Sequence, residues 1–419
     1  MTSLRERILL YAGLTSLTAL SIDGLLPALR RIGTDMAAAP PLSTQSVIAL
    51  FVLGMAIGEL FLGPLSDAVG RRKALLLGLG VYVVGTLVAL QSASLPVLVL
   101  GRILQGIGVA GPKIATRAMI RDQFEGDAMA RILSLMFTLF ILVPMLAPLL
   151  AQGLTALAGW RAIFAAYLAI ALLLGLWVFR RQPETLPPER RIPFRPKTLL
   201  ANALRILASR RVTLLIGATG LVFGAQLLYL ATAADLFFDV YGIAETFPAY
   251  FALLALGVGL ASFINARCVR RFGMEAMARA GYAGLIAAGL ALLAASALWS
   301  GKPPLALFLG LAFPAFFAIG ILFGNLNAMA MRPLGHMAGL GASLIASGSS
   351  LVSALFATLF GRFYDGTLFT LATALATAGI AAVLLTEWAG HGGAAAIEPV
   401  RPAEGSAERG HGHPRPPRA

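Results

Sequence analysis

Asp23, Glu59, Arg102 and Lys113 each interrupt a run of apolar residues long enough to cross a bilayer. A charge in hydrocarbon is costly, so such a side chain faces a water-filled cavity or a partner of opposite sign. Carboxylates in that position can load and release protons, and nearby cations can compete with the proton for them. Depth along the helices suggests the pairing. Asp23 lies about 16 residues, roughly 24 Å, into the first run, and Arg102 lies about 6 residues, roughly 9 Å, into a run that enters from the other side. In a core of about 30 Å these depths nearly coincide. Asp23 is therefore expected to face Arg102 in the half of a cavity wall remote from the N-terminus, and Glu59 to face Lys113 nearer the opposite surface. The competing reading is that either pair only stabilises helix packing.

The elements that would hold these residues are long apolar helices. Of 419 residues 58% are hydrophobic and only 12% are charged, against about a quarter charged in ordinary soluble domains. The chain is expected to be an all-α integral membrane protein. Twelve runs suffice to span a bilayer: 8 to 28, 44 to 65, 74 to 93, 96 to 118, 131 to 155, 160 to 180, 212 to 235, 247 to 268, 277 to 299, 304 to 330, 337 to 361 and 367 to 388. Arg5 and Arg7 before the first run and Ala37-Ala38-Ala39 after it resemble a cleavable leader, but Asp23 within the run and its length argue against cleavage.

Net charge of +14 invites a nucleic-acid reading. The cations, however, occupy short clusters between apolar runs and form no soluble basic face. With the N-terminus inside, about 26 of the 33 Lys and Arg fall on the cytoplasmic side and about 5 outside, with Arg102 and Lys113 within spans. Both termini are thus expected in the cytoplasm. The Arg- and Pro-rich segment 182–210 reads as a linker with an amphipathic helix near 198–208, dividing a six-span half (1–181) from a second (211–388). The Gly-, Pro- and His-containing tail, 389–419, reads as disordered. Its His411 and His413 do not make a metal site, and the single cysteine, Cys268, offers no disulfide or thiol cluster.

Gly63-Pro64-Leu65-Ser66-Asp67-Ala68-Val69-Gly70-Arg71-Arg72-Lys73 joins the second and third spans, with glycine and proline expected to break the helix and Asp67 to accept from free backbone N–H groups. Asn265 to Gly273 echoes it about 200 residues later, Gly273 matching Gly70, as expected for duplication of a six-span unit.

These motifs resemble the major facilitator superfamily. Gly63 to Arg72 is similar to its loop signature, and Arg102-x-x-Gln105-Gly106-x-Gly108 to its second signature. Asp23-x-x-x-Pro27, Arg117 to Asp122 and Gly159 to Phe164 resemble the twelve-span drug:proton antiporters of the Bcr/CflA group. In the fifth span, Pro144 and Pro148 are present but alanines stand where the antiporter pattern has glycines. Glu59 occupies a place where glutamine is expected, and Lys113 is also unusual there.

The resemblance implies two pseudo-symmetric six-helix bundles in the inner membrane. It implies a monomer that exports small amphipathic compounds by alternating access, driven by protons. Asp23, Arg102, Glu59 and Lys113 are the candidate coupling groups. Each proton entering down 100 mV supplies about 2.3 kcal/mol, enough for roughly a fifty-fold gradient. Phe51, Gln226, Tyr229, Asn325 and Asn327 are candidates to line the substrate pocket, although such residues also serve as packing groups. Gly63, Asp67, Gly70, Arg71 and Asp122 are expected to form a conformational latch on the cytoplasmic side, with Asp67 reaching the end of span eleven near Met337 and Arg71 reaching Asp122. A proton-coupled importer and a non-transporting sensor or lipid-handling protein are the alternatives.

No enzyme or cofactor reading competes. Gly106-Ile107-Gly108-Val109-Ala110-Gly111 fits the dinucleotide fingerprint in letters only, since no strand precedes it, and close helix packing accounts for it. Pro112 separates the glycines from Lys113, so no phosphate-binding loop forms, and no Ser, His and Asp grouping suggests a hydrolase.

Overall fold

The computed structural model describes residues 4–38, 42–124, 126–243 and 245–390. His411, His413 and most of the tail segment 389–419 lie outside them. The helices are α1 (Leu4–Asp23), α2 (Leu29–Asp35), α3 (Thr44–Val69), α4 (Arg71–Leu90), α5 (Leu95–Gln123), α6 (Gly126–Ala158) and α7 (Arg161–Arg181), then α8 (Pro196–Ala208), α9 (Arg210–Asp235), α10 (Phe247–Phe272), α11 (Met274–Leu298), α12 (Leu305–Met331), α13 (Ala338–Gly361) and α14 (Phe369–Gly390). A 3-10 turn, Leu26–Ala28, joins α1 to α2 as one broken span, and a π-helical turn, Leu236–Val240, prolongs α9. Eleven spans qualify by length and apolarity among the described residues, and the 33-residue α6 supplies the twelfth. Every backbone polar group in hydrocarbon must be satisfied within its own segment, which is why the apolar runs become helices. Exposed Phe61, Leu173, Leu355 and Leu384 face outward, where lipid and not water is the solvent.

Two six-helix halves follow, α1 to α7 and α9 to α14. They meet where α3 packs along α13 and where α6 packs on α10, contacts that exchange with one another when the halves are exchanged. The helix α8 between them leaves Leu200, Leu204 and Leu207 exposed on one face, as an interfacial helix does. We call the surface carrying the start of α1, the α3–α4 turn and α8 the basic face, and the other the far face.

The α3–α4 junction corrects one expectation. Gly63 and Pro64 do not end the helix; α3 runs through both to Val69, and the chain reverses at Gly70 alone (φ 104°). Gly273 does the same between α10 and α11 (φ 81°), so the repeat is conformational as well as sequential. Glycine tolerates this left-handed region at little cost.

Close packing in the first half depends on the glycines of α5. Gly106 abuts the backbone of Phe51 and Met55 in α3, whereas Gly108 and Gly111 abut Tyr82 and Gly78 in α4. The fingerprint-like string thus has its glycines on two sides of one helix, each admitting a neighbouring backbone. Gly108→Val would place Cβ on the Tyr82 backbone and should cost about 1–3 kcal/mol. Thermal unfolding of the purified protein should show a clear fall in Tm for that variant. Gly80→Ala, where a Cβ meets nothing within 4 Å, should leave Tm unchanged.

Candidate functional site

Arg102 is fully buried in α5, and its partners come from three helices. Nη2 donates to the Ser21 carbonyl of α1 (2.8 Å), Nε to the Val47 carbonyl of α3 (3.2 Å) and Nη1 to Gln105 Oε1 (2.9 Å). The Phe51 ring lies 4.3 Å from the guanidinium carbon. The break after α1 makes the first of these bonds available. Leu25 N–H, the normal helical partner of the Ser21 carbonyl, turns to Ile22 O instead (3.3 Å). The network extends to α4: Gln105 Nε2 donates to Thr86 Oγ1 (2.8 Å), and the Tyr82 and Ser21 hydroxyls are 2.7 Å apart. Ser21 gives its one proton to Leu17 O (2.7 Å), so Tyr82 is the donor to Ser21.

Asp23 does not face Arg102, contrary to the expectation from depth. It is buried and has no ion pair or hydrogen bond among the described residues. Two residues along a helix is about 200° of rotation. Asp23 thus points away from the side of Ser21, within electrostatic reach of the Tyr167 and Tyr229 hydroxyls, whereas Ser21 meets the arginine through its backbone carbonyl. Tyr167 donates to Leu20 O (2.8 Å), and the Tyr229 hydroxyl has no hydrogen-bond partner among the described residues.

Glu59 and Lys113 do meet, with Nζ 2.5 Å from Oε1. The second carboxylate oxygen accepts from Ser350 of α13 (2.9 Å), so this buried group joins both halves. Ser350 had no distinguishing signal in the sequence.

The five pocket candidates do not form one wall. Phe51 lies buried beneath Arg102. Tyr229 stacks on Phe251 (5.9 Å) and meets Phe316 edge-on (4.6 Å). Asn325 is a clamp between helices, its amide donating to Asn265 Oδ1 of α10 and to Ile321 O, both at 2.8 Å. Asn327 and Gln226 are only partly buried, and the Asn327 amide donates to Phe323 O (2.8 Å).

At the basic face Arg71 Nε reaches Asp122 (3.0 Å), while Nη1 pairs with Asp67 and reaches Ser66 Oγ (3.2 Å). Asp67 lies at the start of α13, with Oδ2 2.9 Å from where a Cβ on Gly339 would stand. Gly63 likewise admits Ser343, whose hydroxyl occupies the space of a Cβ. Asp67 does not cap the following helix, as its position had suggested. Glu184 of the linker does so, accepting from Arg71 N (2.9 Å) and Arg72 N (3.2 Å). A Cβ at Gly70 would strike that carboxylate.

At the far face two polar contacts join the halves. Arg30 pairs with Asp239 (2.8 Å), and Gln45 donates to Asp235 (2.9 Å). Asp235 ends an apolar run and is a span carboxylate that the sequence reading passed over. At the basic face a cleft lies between α3, α5 and α13, with Glu59, Lys113 and Arg117 in its wall.

Comparison with known proteins agrees with this architecture. The family model described as Major Facilitator Superfamily matches residues 11–357. The chain is 30% identical over 356 residues to a bicyclomycin resistance protein homolog of Haemophilus influenzae, covering 84% of this chain and 88% of that one. It is 27% identical over 330 residues to multidrug resistance protein D of Escherichia coli, covering 76% and 79%. Among solved structures, a D-xylose-proton symporter superposes with a TM-score of 0.71 at 17% identity, covering 93% of this chain and 98% of that one. Twelve spans in two exchanged halves, a glycine-packed fourth span and a match over most of the chain have one meaning: the protein is a transporter, not an enzyme, and belongs to the Major Facilitator Superfamily.

Proposed function

We propose that the protein exports small amphipathic compounds across the inner membrane, driven by protons, as a monomer working by alternating access. The basic face is taken as the cytoplasmic one from the sequence count, which assigns about 26 of the 33 Lys and Arg to that side. Residues 1–181 and 211–388 rock about the α3–α13 and α6–α10 seams, with 182–210 strapping them together. The relatives named for resistance to bicyclomycin and to multiple drugs support the outward direction.

Asp23 carries the reading. A buried carboxylate with no ion pair or hydrogen bond among the described residues, within electrostatic reach of the Tyr229 hydroxyl of the other half, is placed to carry a proton. Opening of the seam to either side hydrates it and lets the proton exchange. Arg102 keeps one donor on each of its three nitrogens engaged near the helix break and fixes where Asp23 sits. Phe51, Gln226, Tyr229, Asn325 and Asn327 bound or brace the cargo path. The cleft between α3, α5 and α13 is the mouth of the cargo path at the basic face. Arg71, Asp67, Asp122, Gly63 and Gly70 form the latch that must part and re-form as the cycle turns.

In cells loaded with a fluorescent drug, the protein should lower accumulation, and an uncoupler should abolish the difference. Asp23→Asn should remove the proton drive, a loss of roughly fifty-fold in sustainable gradient at 100 mV. Undiminished efflux by that variant would sink the assignment, and raised accumulation with the unmodified protein would indicate import. For the second carboxylate, Lys113→Met leaves Glu59 buried without its cation and should destabilise by about 3–5 kcal/mol. Thermal unfolding of Lys113→Met against the double variant Glu59→Gln/Lys113→Met tests this. Tm should largely recover in the double variant if the pair is the cause.

A further inference from the structure

Lys113, Arg117 and Arg121 recur every fourth residue on α5, so they form one stripe about 12 Å long running from the mouth of the cleft into the membrane. All three line the cleft, as does Arg71. The carboxylates there are already committed. Glu59 holds Lys113 and accepts from Ser350, and Asp67 holds Arg71, which also takes Asp122. Arg117 and Arg121 have neither ion pair nor hydrogen bond among the described residues, although Arg117 lies within the field of Glu59. The facing wall of α13 offers Gly339, Ala342, Ser343 and Ala346, none of which can neutralise a cation. Arg117 stands about 9 Å in from the end of α5, deeper than a lipid-anchoring arginine needs to be.

We propose that Arg117 and Arg121, backed by Lys113, bind the anionic head group of an amphipathic cargo, a carboxylate, sulfonate or phosphate carried on an apolar body. This rests on the reading of the cleft as the cargo's path. The cavity, about 120 Å³, has room for several waters or one such head group. Two guanidinium forks one turn apart can each give paired N–H donors to one anion. The apolar atoms of Ile114, Ala342 and Ala346 take the start of its body. A cation of the same shape would meet uncompensated positive charge in a low dielectric and be rejected.

Three naphthyl probes of one ring and different charge test this on the full-length protein in phosphatidylcholine nanodiscs, with empty discs as the blank. Naphthalene-1-sulfonate should bind at least about tenfold tighter than naphthalene-1-methanol or 1-naphthylmethylammonium, and added salt should erode that preference. Arg117→Gln/Arg121→Gln should bring the sulfonate to the level of the alcohol, whereas Arg117→Lys/Arg121→Lys should keep the order of the three probes. Equal binding of the probes, absence of sulfonate binding, or a preference that survives the glutamine variant would each overturn the proposal. If the glutamine variant does not fold, the salt dependence decides: a salt-insensitive preference overturns it. Loss of sulfonate binding in phosphatidylglycerol discs alone would support the anion site and assign a lipid head group as its occupant. Drug export that fails in cells while the sulfonate preference holds would overturn the export reading and leave the site standing.

Discussion

Among the described residues the guanidinium of Arg102 has no carboxylate to neutralise it, so carbonyl dipoles and the Gln105 amide hold the charge in a buried place. Leaving such a group unsatisfied would cost several kcal/mol, and this ties the positions of α1, α3 and α5 together. α1 must be interrupted so that the Ser21 carbonyl is free to accept, and the interruption brings Asp23 to the seam between the halves. One buried cation thereby decides where a buried acid lies without touching it. The glycines of α5 are the other half of the same constraint. Only where Gly106 and Gly108 admit the backbones of α3 and α4 can those helices approach closely enough for the Arg102 network to close.

The seam itself is built from small residues and paired charges, as a surface that must open requires. Gly63 against Ser343 and Gly339 against Asp67 allow α3 and α13 to touch closely while burying little interlocking bulk. Glu59 crosses the seam through Ser350, a single hydrogen bond that can be exchanged for water when the halves part. At the ends, the Arg30–Asp239 pair is exposed and can be broken at modest cost, whereas the Arg71 cluster is largely buried. Among the described residues, α3 meets α13 through small side chains and hydrogen bonds.

The linker has a part in this that its composition did not reveal. Glu184 caps the first turn of α4, and Ile192 N donates to the Asp67 carbonyl (3.0 Å). A segment rich in Pro and Arg reads as a spacer, yet its one well-placed carboxylate completes the α3–α4 junction. Helix starts leave backbone donors unmet, and the group that meets them can come from anywhere in the chain.

Apolar run length made the twelve helices legible, because hydrocarbon imposes helix on any segment that must cross it. The glycine spacing in α5, the Gly70 and Gly273 turns, and the contact of Arg71 with Asp122 were readable for similar local reasons: backbone approach, positive φ, and two charges at one membrane face. Depth paired Glu59 with Lys113 and failed for Asp23 with Arg102. Distance along a helix axis follows from counting residues, but the direction in which a side chain points depends on how the helix is rotated and where it breaks. That rotation is set by the packing of α5 against α3 and α4 and by the break at Gly24. The same holds for Asn325, which pairs with Asn265 across helices, and for Glu184 and Ser350, whose partners lie more than a hundred residues away. The sequence by itself determined which segments cross the membrane and the family's duplicated plan, since these depend on transfer from water to lipid residue by residue. Tertiary structure alone decided which buried charges meet, because that is a property of helix rotation and contact that no single segment contains.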